Sequence, residues 1–313
     1  MKLSIVTVNR NNAAGLRATL ESTFGAQSGF ADWEQIVVDG NSTDGSFSEI
    51  DRHRTDPHLG WCVSEPDSGI YDAMNKGAAH ARGDRLLFLN SGDTLLPDVL
   101  EKVFADPPDA DILYGDLAIL KKDGETVKRY PAPGEIRDWH FLYESLPHPA
   151  SFVSRRLFES LGGYDESFRI VSDAKFFMEA VLGGAKLAQL PFAVSRFRTD
   201  GVSFDKSRMA EHLAERRRML APVFGERLAE RVTRPKPKPL PSCIRPAVLL
   251  AAARDKRFAR YLLRANDAVR AAYRTRFGRF VLERLARRLE EKEARSLRRT
   301  RKAAIAPSGK ATP

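Results

Sequence analysis

Cysteine is nearly absent from this sequence. Cys62 and Cys243 stand far apart in a chain of 313 residues, without the paired spacing of a zinc site or the number that a disulfide framework needs. The opening segment, MKLSIVTVNRN, is too short and too strand-like for a signal peptide. These features predict a protein of the reducing cytoplasm.

Long apolar runs are missing as well. No segment reaches the ~18 apolar residues that a membrane-spanning helix needs, although 42% of the residues are hydrophobic. The chain also lacks GxxxxGK[ST] and GxGxxG, which excludes the P-loop and the common dinucleotide-binding turn. A globular protein with one or two domains remains.

Positive charge is concentrated at the C-terminal end. Residues 234–313 carry 23 Lys and Arg against 6 Asp and Glu, a net charge of +17, so the +10 of the whole chain leaves −7 for residues 1–233. The segment RPKPKPLP at 234–241 favours an extended polyproline conformation. We predict a body at 1–233, this linker, a basic helical extension at 242–302 and a disordered tail at 303–313.

The basic extension interleaves arginines with apolar residues such as Phe258, Tyr261 and Phe277. This pattern is typical of interfacial helices, whose arginines contact lipid phosphate. We favour an anionic membrane, at the inner face of the plasma membrane, over helices packed on the body. Nucleic acid is the least favoured partner, since no known nucleic-acid module is present.

Short apolar runs alternate with helical patterns along the body. The predicted strands are Leu3–Val8, Gln35–Val38, Trp61–Ser64, Arg85–Leu89, Asp111–Tyr114, Leu117–Leu120, Thr126–Tyr130, Phe152–Ser154 and Lys186–Phe197. The predicted helices are Ala13–Phe24, Ile70–Ala81, Pro97–Phe104, Arg156–Leu161, Ala174–Leu182 and Ser207–Leu220. This alternation predicts an α/β fold with a mixed, mostly parallel sheet flanked by helices.

Polar residues follow two of the apolar strands. Asp39 comes after QIVV, and Asn90 and Asp93 come after LLFL. Ligands of open α/β sheets bind outside the carboxyl ends of the strands, and a carboxylate there suits Mg²⁺ or Mn²⁺ together with phosphate. The alternative is an ordinary turn or a helix cap at each position.

Four further residues, in three motifs, allow two interpretations each. Asp72 and Lys76, in DSGIYDAMNKG, form either part of a ligand site or a surface ion pair. Asp173 begins a predicted helix, as its N-cap or as a general base. His148, in LPHPASF, either binds substrate or satisfies a buried backbone group.

In combination, five ordered motifs resemble family 2 glycosyltransferases of the GT-A fold, in the branch of exopolysaccharide and cell-surface glycan synthesis. The motifs are SIVTVNRN, VVDGNSTDGS, EPDSGIYDAMNKGAAHARGDRLLFLNSGD, PHPASFVSRRLFESLGGYDESF and SDAKFF. The resemblance covers about residues 1–205. It implies transfer of a sugar, with inversion, from a nucleotide diphosphate sugar to a hydroxyl of a glycan or lipid-linked acceptor. A UDP-sugar is favoured, with a GDP- or dTDP-sugar possible.

The resemblance also implies roles for individual residues. Asp93 would bind Mg²⁺ or Mn²⁺, Asp173 would be the catalytic base, and His148 and Asp200 would lie on the acceptor side. Because NSGD has Asn90 and Gly92 where many relatives have Asp, Asp93 is its single carboxylate. The donor nucleotide would be bound by Val8, Asn9, Asp39, Asp67, Asn75, Lys76 and Asn90.

Two other functions compete with this one. A non-catalytic glycan- or membrane-binding module could keep the same fold. A sugar nucleotidylyltransferase would need a glycine-rich basic loop after the first strand, and NRNN at positions 9–12 does not provide it.

Deletion of residues 235–313 is expected to weaken binding to vesicles that contain anionic lipid, because the deletion removes the basic extension. Salt should weaken the binding of the full-length chain by screening the same charges. Vesicle co-sedimentation of both proteins measures this, with neutral vesicles as the control. Equal binding of the two proteins to anionic vesicles would contradict the membrane prediction.

Overall fold

A computed structural model describes residues 1–27, 29–120, 127–130, 136, 138–198 and 206–233. It separates into two units, Met1–Leu220 and the residues from Ala221 onward. Asp200 and the predicted linker, basic extension and tail lie outside the described residues. The boundaries proposed for those segments therefore stay predictions.

The described strands and helices alternate as predicted. The strands are β1 (Leu3–Asn9), β2 (Trp33–Asp39), β3 (Leu59–Ser64), β4 (Arg85–Phe88), β5 (Thr94–Leu95), β6 (Ile112–Leu120), β7 (Val127–Tyr130), β8 (Ser151–Ser154) and β9 (Leu187–Arg198). The helices are α1 (Ala13–Phe24), α2 (Ser46–Asp51), α3 (Ile70–Ala79), α4 (Val99–Phe104), α5 (Arg155–Ser160), α6 (Ser172–Leu182), α7 (Met209–Phe224) and α8 (Glu226–Val232). Sequence patterns did not reveal α2, β5 and α8, because such short elements show no clear periodicity.

Two consecutive predicted strands form one continuous strand in the structure. The sequence predicts separate strands at 111–114 and 117–120, whereas β6 runs through both. Register shifts on either side of Asp116 keep the strand paired with β9. A Cβ at Gly115 would lie 2.6 Å from Val194 Cγ2 and 2.8 Å from the Phe192 carbonyl oxygen. Glycine at this position therefore reflects the close approach of β9, not the end of a strand.

The strands form a mixed sheet in the order β3-β2-β1-β4-β8-β6-β9-β5, with β7 paired to β6. β3, β2, β1 and β4 are mutually parallel. β8 is antiparallel to both of its neighbours, and β6 and β9 are parallel. This arrangement confirms the predicted mixed α/β sheet.

The parallel strands end at one edge of the sheet. Asn9 pairs in register with Asp39, and Asp39 with Ser64, so the polar ends of three strands are adjacent. All seven residues of β1 and of β2 are buried. The polar side chains inside these two strands, such as Ser4 and Glu34, are paired within the protein.

None of the described helices combines the length and apolar character required to cross a bilayer.

Helix α3 packs closely on the sheet through Gly77. A Cβ at this position would collide with Val6 and lie 3.3 Å from Val38 Cγ2. Any larger residue would therefore push the helix away from β1 and β2.

Gly77→Ala is expected to lower the free energy of unfolding by about 1–3 kcal/mol, because overpacking outweighs the better helix propensity of alanine. Urea denaturation of the variant and of wild type gives this difference. Ala79→Ser, on the exposed side of the same helix, should stay within about 0.5 kcal/mol of wild type. An unchanged or more stable Gly77→Ala protein would contradict the packing argument.

Candidate active site

A buried carboxylate joins three strand ends at the carboxyl edge of the sheet. Asp39 is fully buried and accepts hydrogen bonds from Asn9 Nδ2 at 2.7 Å, Ser64 Oγ at 2.6 Å, and the backbone N and Oγ of Ser42 at 2.9 and 2.6 Å. Burial raises the pKa of Asp39, but these hydrogen bonds outweigh it and leave the pKa below its ordinary value. The ionised side chain thus fixes the ends of β1, β2 and β3 relative to one another.

The second acidic turn lies beside the first. A Cβ at Gly40 would collide with the Asp67 carboxylate, and Asp67 Oδ1 accepts a hydrogen bond from the Gly69 amide at 3.0 Å. Gly40 in turn donates its amide to the Asn9 carbonyl at 2.8 Å. Val8, Asn9, Asp39 and Asp67 therefore lie along one edge, as their predicted role in nucleotide binding requires.

Asn75 and Lys76 are engaged within the protein. The Asn75 amide group donates to the Tyr164 carbonyl at 2.8 Å and accepts from the Tyr164 amide at 2.9 Å. Lys76 Nζ lies 3.0 Å from Glu65 Oε1 and 3.6 Å from Asp72 Oδ2. The surface ion pair considered for Asp72 and Lys76 is thus present. Donor binding by Asn75 and Lys76 stays a prediction.

The NSGD turn is held against α1. Thr19 Oγ1 donates to the Asp93 carbonyl at 2.7 Å and accepts from the Gly92 amide at 3.0 Å. Gly92 has a φ of 104°, in the region that favours glycine. Thr19 therefore fixes the backbone that carries both Asn90 and Asp93.

Asn90, Asp93, His148 and Asp173 line one cleft of about 360 Å³. They come from the end of β4, the segment before β8 and the start of α6. The remaining lining residues are mostly apolar: Ile70, Tyr71, Met74, Leu117, Ile119, Ser145, Leu146, Pro147, Pro149 and Phe197. Predicted acceptor-side, metal-binding and catalytic residues thus face the same space.

Two buried polar atoms belong to residues of this cleft. Asn90 Oδ1 and Ser145 Oγ have no hydrogen-bond partner among the described residues. A buried polar group without a partner is costly unless a ligand or water satisfies it. Their position next to Asp93 and Asp173 therefore indicates that the cleft receives a polar ligand.

The cleft offers few ligands of its own to a metal ion. No group of three or more His, Cys, Asp and Glu side chains in the described part of the chain could hold a metal. Asp93, 7% exposed, and the Asn90 amide oxygen are hard oxygen ligands. These residues fit Mg²⁺ or Mn²⁺ if phosphate oxygens and water supply the other ligands.

Asp173 is the second residue of α6, and Val171 occupies the N-cap position. The interpretation of Asp173 as a helix cap is therefore wrong. Its Oδ1 accepts a hydrogen bond from Tyr71 Oη at 2.9 Å, and the positive end of α6 favours its negative charge. The carboxylate is thus oriented by a contact with α3, on the wall of the cleft.

A second phenol holds His148. His148 Nε2 lies 3.0 Å from Tyr164 Oη, so the partner is a side chain and not a buried backbone group. Burial lowers the pKa of His148, against the opposing effect of Asp173. Burial raises the pKa of Tyr71 and of Tyr164 well above the ordinary value, and the charge of Asp173 adds to both shifts. Both phenols therefore stay protonated.

Helix α7 contributes charged residues that the sequence patterns did not single out. Burial lowers the pKa of His212 and of Arg216, and the charge of Asp173 opposes both shifts. Arg216 Nη2 also donates to the Phe141 carbonyl at 3.0 Å. An arginine-rich helix resembles a solvated surface in sequence, so no local signal identifies the two residues that lie in the field of Asp173.

Comparison with known families agrees with this geometry. The model of glycosyl transferase family 2 matches residues 4–163, half of the chain. The chain belongs to this family. An uncharacterized glycosyltransferase of Mycobacterium tuberculosis is 36% identical over 185 residues, which span 58% of this chain and 69% of that protein. The protein is a glycosyltransferase, as the motifs imply.

Two solved structures share the fold. TarS 1–349 of S. aureus, in complex with UDP-GlcNAc, has a TM-score of 0.57 and 18% identity, covering 74% of this chain and 70% of its own. The mannosyltransferase PcManGT from Pyrobaculum calidifontis, in complex with GDP-Man and Mn²⁺, has a TM-score of 0.51 and 18% identity, covering 91% and 84%. The similarity confirms the predicted GT-A fold; at this identity it shows the fold alone.

Asp39→Asn is expected to destabilise the protein by about 1–3 kcal/mol at pH 7, because an amide cannot accept all four hydrogen bonds. The folded pKa of Asp39 is lowered, so its contribution is complete above the ordinary value of 3.8 and is lost as the pH falls toward the folded pKa. The stability gap between wild type and variant should therefore narrow below pH 3.8. Urea denaturation from pH 7 to pH 3 measures the gap.

The exposed Asp106 supplies a matched control, because Asp106→Asn should leave stability unchanged throughout this pH range. A gap for Asp39→Asn that stays constant in acid would show that the pKa of Asp39 is not lowered by folding.

Proposed function

We propose that the protein is an inverting, metal-dependent glycosyltransferase. It would transfer a sugar from a nucleotide diphosphate sugar to a hydroxyl of a glycan or lipid-linked acceptor, in the synthesis of polysaccharide or cell-surface glycan. The observation that carries the proposal is that Asp93 and Asp173 line one cleft together with Asn90, whose Oδ1 has no hydrogen-bond partner in the described part of the chain. This arrangement supports the proposal, because a carboxylate that could bind a cation and a carboxylate that could act as a base line the same cleft.

The nucleotide would bind along the edge formed by Val8, Asn9, Asp39 and Asp67. A UDP-sugar is the favoured donor, and a GDP- or dTDP-sugar is the alternative. The structural neighbours hold UDP-GlcNAc in TarS and GDP-Man in PcManGT, which supports donors of these two nucleotides.

Asp93 and Asn90 would hold Mg²⁺ or Mn²⁺ beside the donor diphosphate. Mn²⁺ in the PcManGT complex supports this assignment. When bound, the ion would neutralise charge on the leaving diphosphate. Thr19 fixes the backbone of the turn that carries both residues, so the protein itself holds this turn in place.

Asp173 would act as the base. The acceptor oxygen attacks C1 of the donor sugar, the bond from C1 to the phosphate oxygen breaks, and the diphosphate takes that electron pair. The acceptor proton passes to Asp173, whose other partner, Tyr71, holds Oδ1. A single displacement inverts C1 and needs no covalent sugar–enzyme intermediate.

The walls of the cleft suit an acceptor with an apolar part. The cleft is lined by Ile70, Leu117, Ile119 and Phe197 together with His148. A purely polar glycan would make no apolar contacts with these side chains. A lipid-linked acceptor meets this requirement. Attachment of the basic extension to an anionic membrane would place the enzyme beside such a lipid, as a peripheral protein at the inner face of the plasma membrane.

Asp173→Asn is expected to reduce nucleotide release from the donor by about 10²–10⁴-fold, the usual contribution of a general base. Asp93→Ala should abolish the stimulation of the reaction by Mn²⁺. A thermal-shift screen of UDP-, GDP- and dTDP-sugars with Mn²⁺ selects the donor, and nucleotide release then gives kcat and KM.

Donor binding separates the two roles. Asp173→Asn should bind the nucleotide with Mn²⁺ as wild type does, whereas Asp93→Ala should lose the Mn²⁺-dependent part of this affinity. Release at the wild-type rate by Asp173→Asn would refute the base assignment. Stimulation by Mn²⁺ that survives in Asp93→Ala would refute the metal assignment.

A further inference from the structure

Glu215 on α7 binds the backbone just before α6. The side chain is 9% exposed. Its Oε1 accepts from the Arg169 amide at 2.6 Å, and its Oε2 accepts from the amides of Ile170 and Val171 at 2.8 and 3.2 Å. Three consecutive backbone donors therefore converge on one carboxylate, in a segment that ends two residues before Asp173.

This contact fixes the N-cap residue of α6 through the backbone amide of that residue. The N-cap residue is Val171, which has no polar side chain to accept from the first amides of the helix. A buried carboxylate is stable only if several donors satisfy it, and charge-assisted bonds of this kind are stronger than neutral ones. Glu215 and the 169–171 backbone therefore hold each other in one position.

Helix α7 also contacts the segment before α6 through a second side chain. Arg218 lies about one helical turn beyond Glu215, and its Nη2 donates to the Ser167 carbonyl at 2.6 Å. Its guanidinium carbon lies 3.8 Å from the centre of the Phe168 ring. Residues 167–171 are thus fixed from α7 by two side chains of opposite charge, before the chain turns into α6.

We propose that Glu215 is a positioning residue for Asp173, a role that rests on the proposed function of Asp173 as the base. Asp173 is held from α3 by Tyr71 Oη at 2.9 Å and through its backbone by Glu215. A base must come within about 2.6–3.2 Å of the oxygen that it deprotonates. Loss of Glu215 would release the 169–171 backbone and move Asp173 relative to the acceptor.

The test compares Glu215→Ala and Glu215→Gln with wild type. The probe is UDP-GlcNAc or GDP-Man with Mn²⁺, whichever the wild-type protein hydrolyses. Nucleotide release gives kcat and KM per folded molecule, binding of the free nucleotide gives Kd, and thermal unfolding gives Tm. We expect kcat of Glu215→Ala to fall about 100-fold, the effect of a misplacement of about 1 Å, with KM and Kd of the donor unchanged.

Glu215→Gln tests whether an uncharged side chain of the same shape restores kcat. Its amide oxygen can still accept from part of the 169–171 backbone, so kcat should recover to about tenfold below wild type. If Glu215→Ala fails to fold, Glu215→Gln carries the test alone.

Two control variants separate positioning from general stability. Glu34 is also a buried carboxylate, 1% exposed, that accepts from a backbone amide, of Arg82, at 2.7 Å. It lies at the amino-terminal end of β2, so Glu34→Gln should lower Tm and leave kcat unchanged. Glu211, on the exposed side of α7 in an ion pair with Arg208, should tolerate replacement by Gln with no change in kcat or Tm.

The outcomes distinguish this inference from the function on which it rests. A wild-type kcat in Asp173→Asn would refute the base, whatever Glu215 does. If Asp173→Asn is inactive and the Glu215 variants lose Tm but keep kcat, Glu215 is merely structural and the proposal is wrong. An equal fall in kcat for Glu34→Gln would also overturn it.

Discussion

The carboxyl edge of the parallel strands depends on one buried charge. Asp39 cannot remain buried and ionised unless several donors surround it, and the donors present are Asn9, Ser42 and Ser64. They belong to β1, to the turn after β2 and to β3. Because the buried charge is stable only with these donors around it, Asp39 holds three strand ends together, and the residues proposed to bind the nucleotide lie along that edge.

The cleft residues Asn90, Asp93 and Asp173 are likewise held by contacts with neighbouring elements. NSGD follows β4, next to β1 in the sheet, and Thr19 of α1 fixes its backbone. Asp173 arrives on α6, far along the chain, and is oriented by Tyr71 of α3. The end of β4, helix α3 and helix α6 thus border the same cleft. In this cleft, Asn90 Oδ1 and Ser145 Oγ have no hydrogen-bond partner among the described residues. A bound ligand would supply the missing hydrogen bonds.

The region matched by the family ends at residue 163, before Asp173 and before α7. The elements beyond it nevertheless hold the segment on which the proposed base depends. Glu215 and Arg218 fix residues 167–171, and Asp173 opposes the effect of burial on the pKa of His212 and Arg216. The residues proposed to bind the donor and the residue proposed as the base are therefore held by different parts of the protein, the sheet edge in one case and α7 in the other.

The sequence by itself determined the elements whose residues follow a period, and the acidic residues at their ends. β1 to β4, α1, and the candidates Asp93 and Asp173 followed from apolar runs and from motifs. Tertiary structure alone decided that β6 is one strand, that Asn75 binds the 164 backbone, and that Glu215 holds the start of α6. The reason is that periodicity reports which face of an element is buried, whereas the partner of a polar side chain is set by distant segments that only folding brings within hydrogen-bond distance.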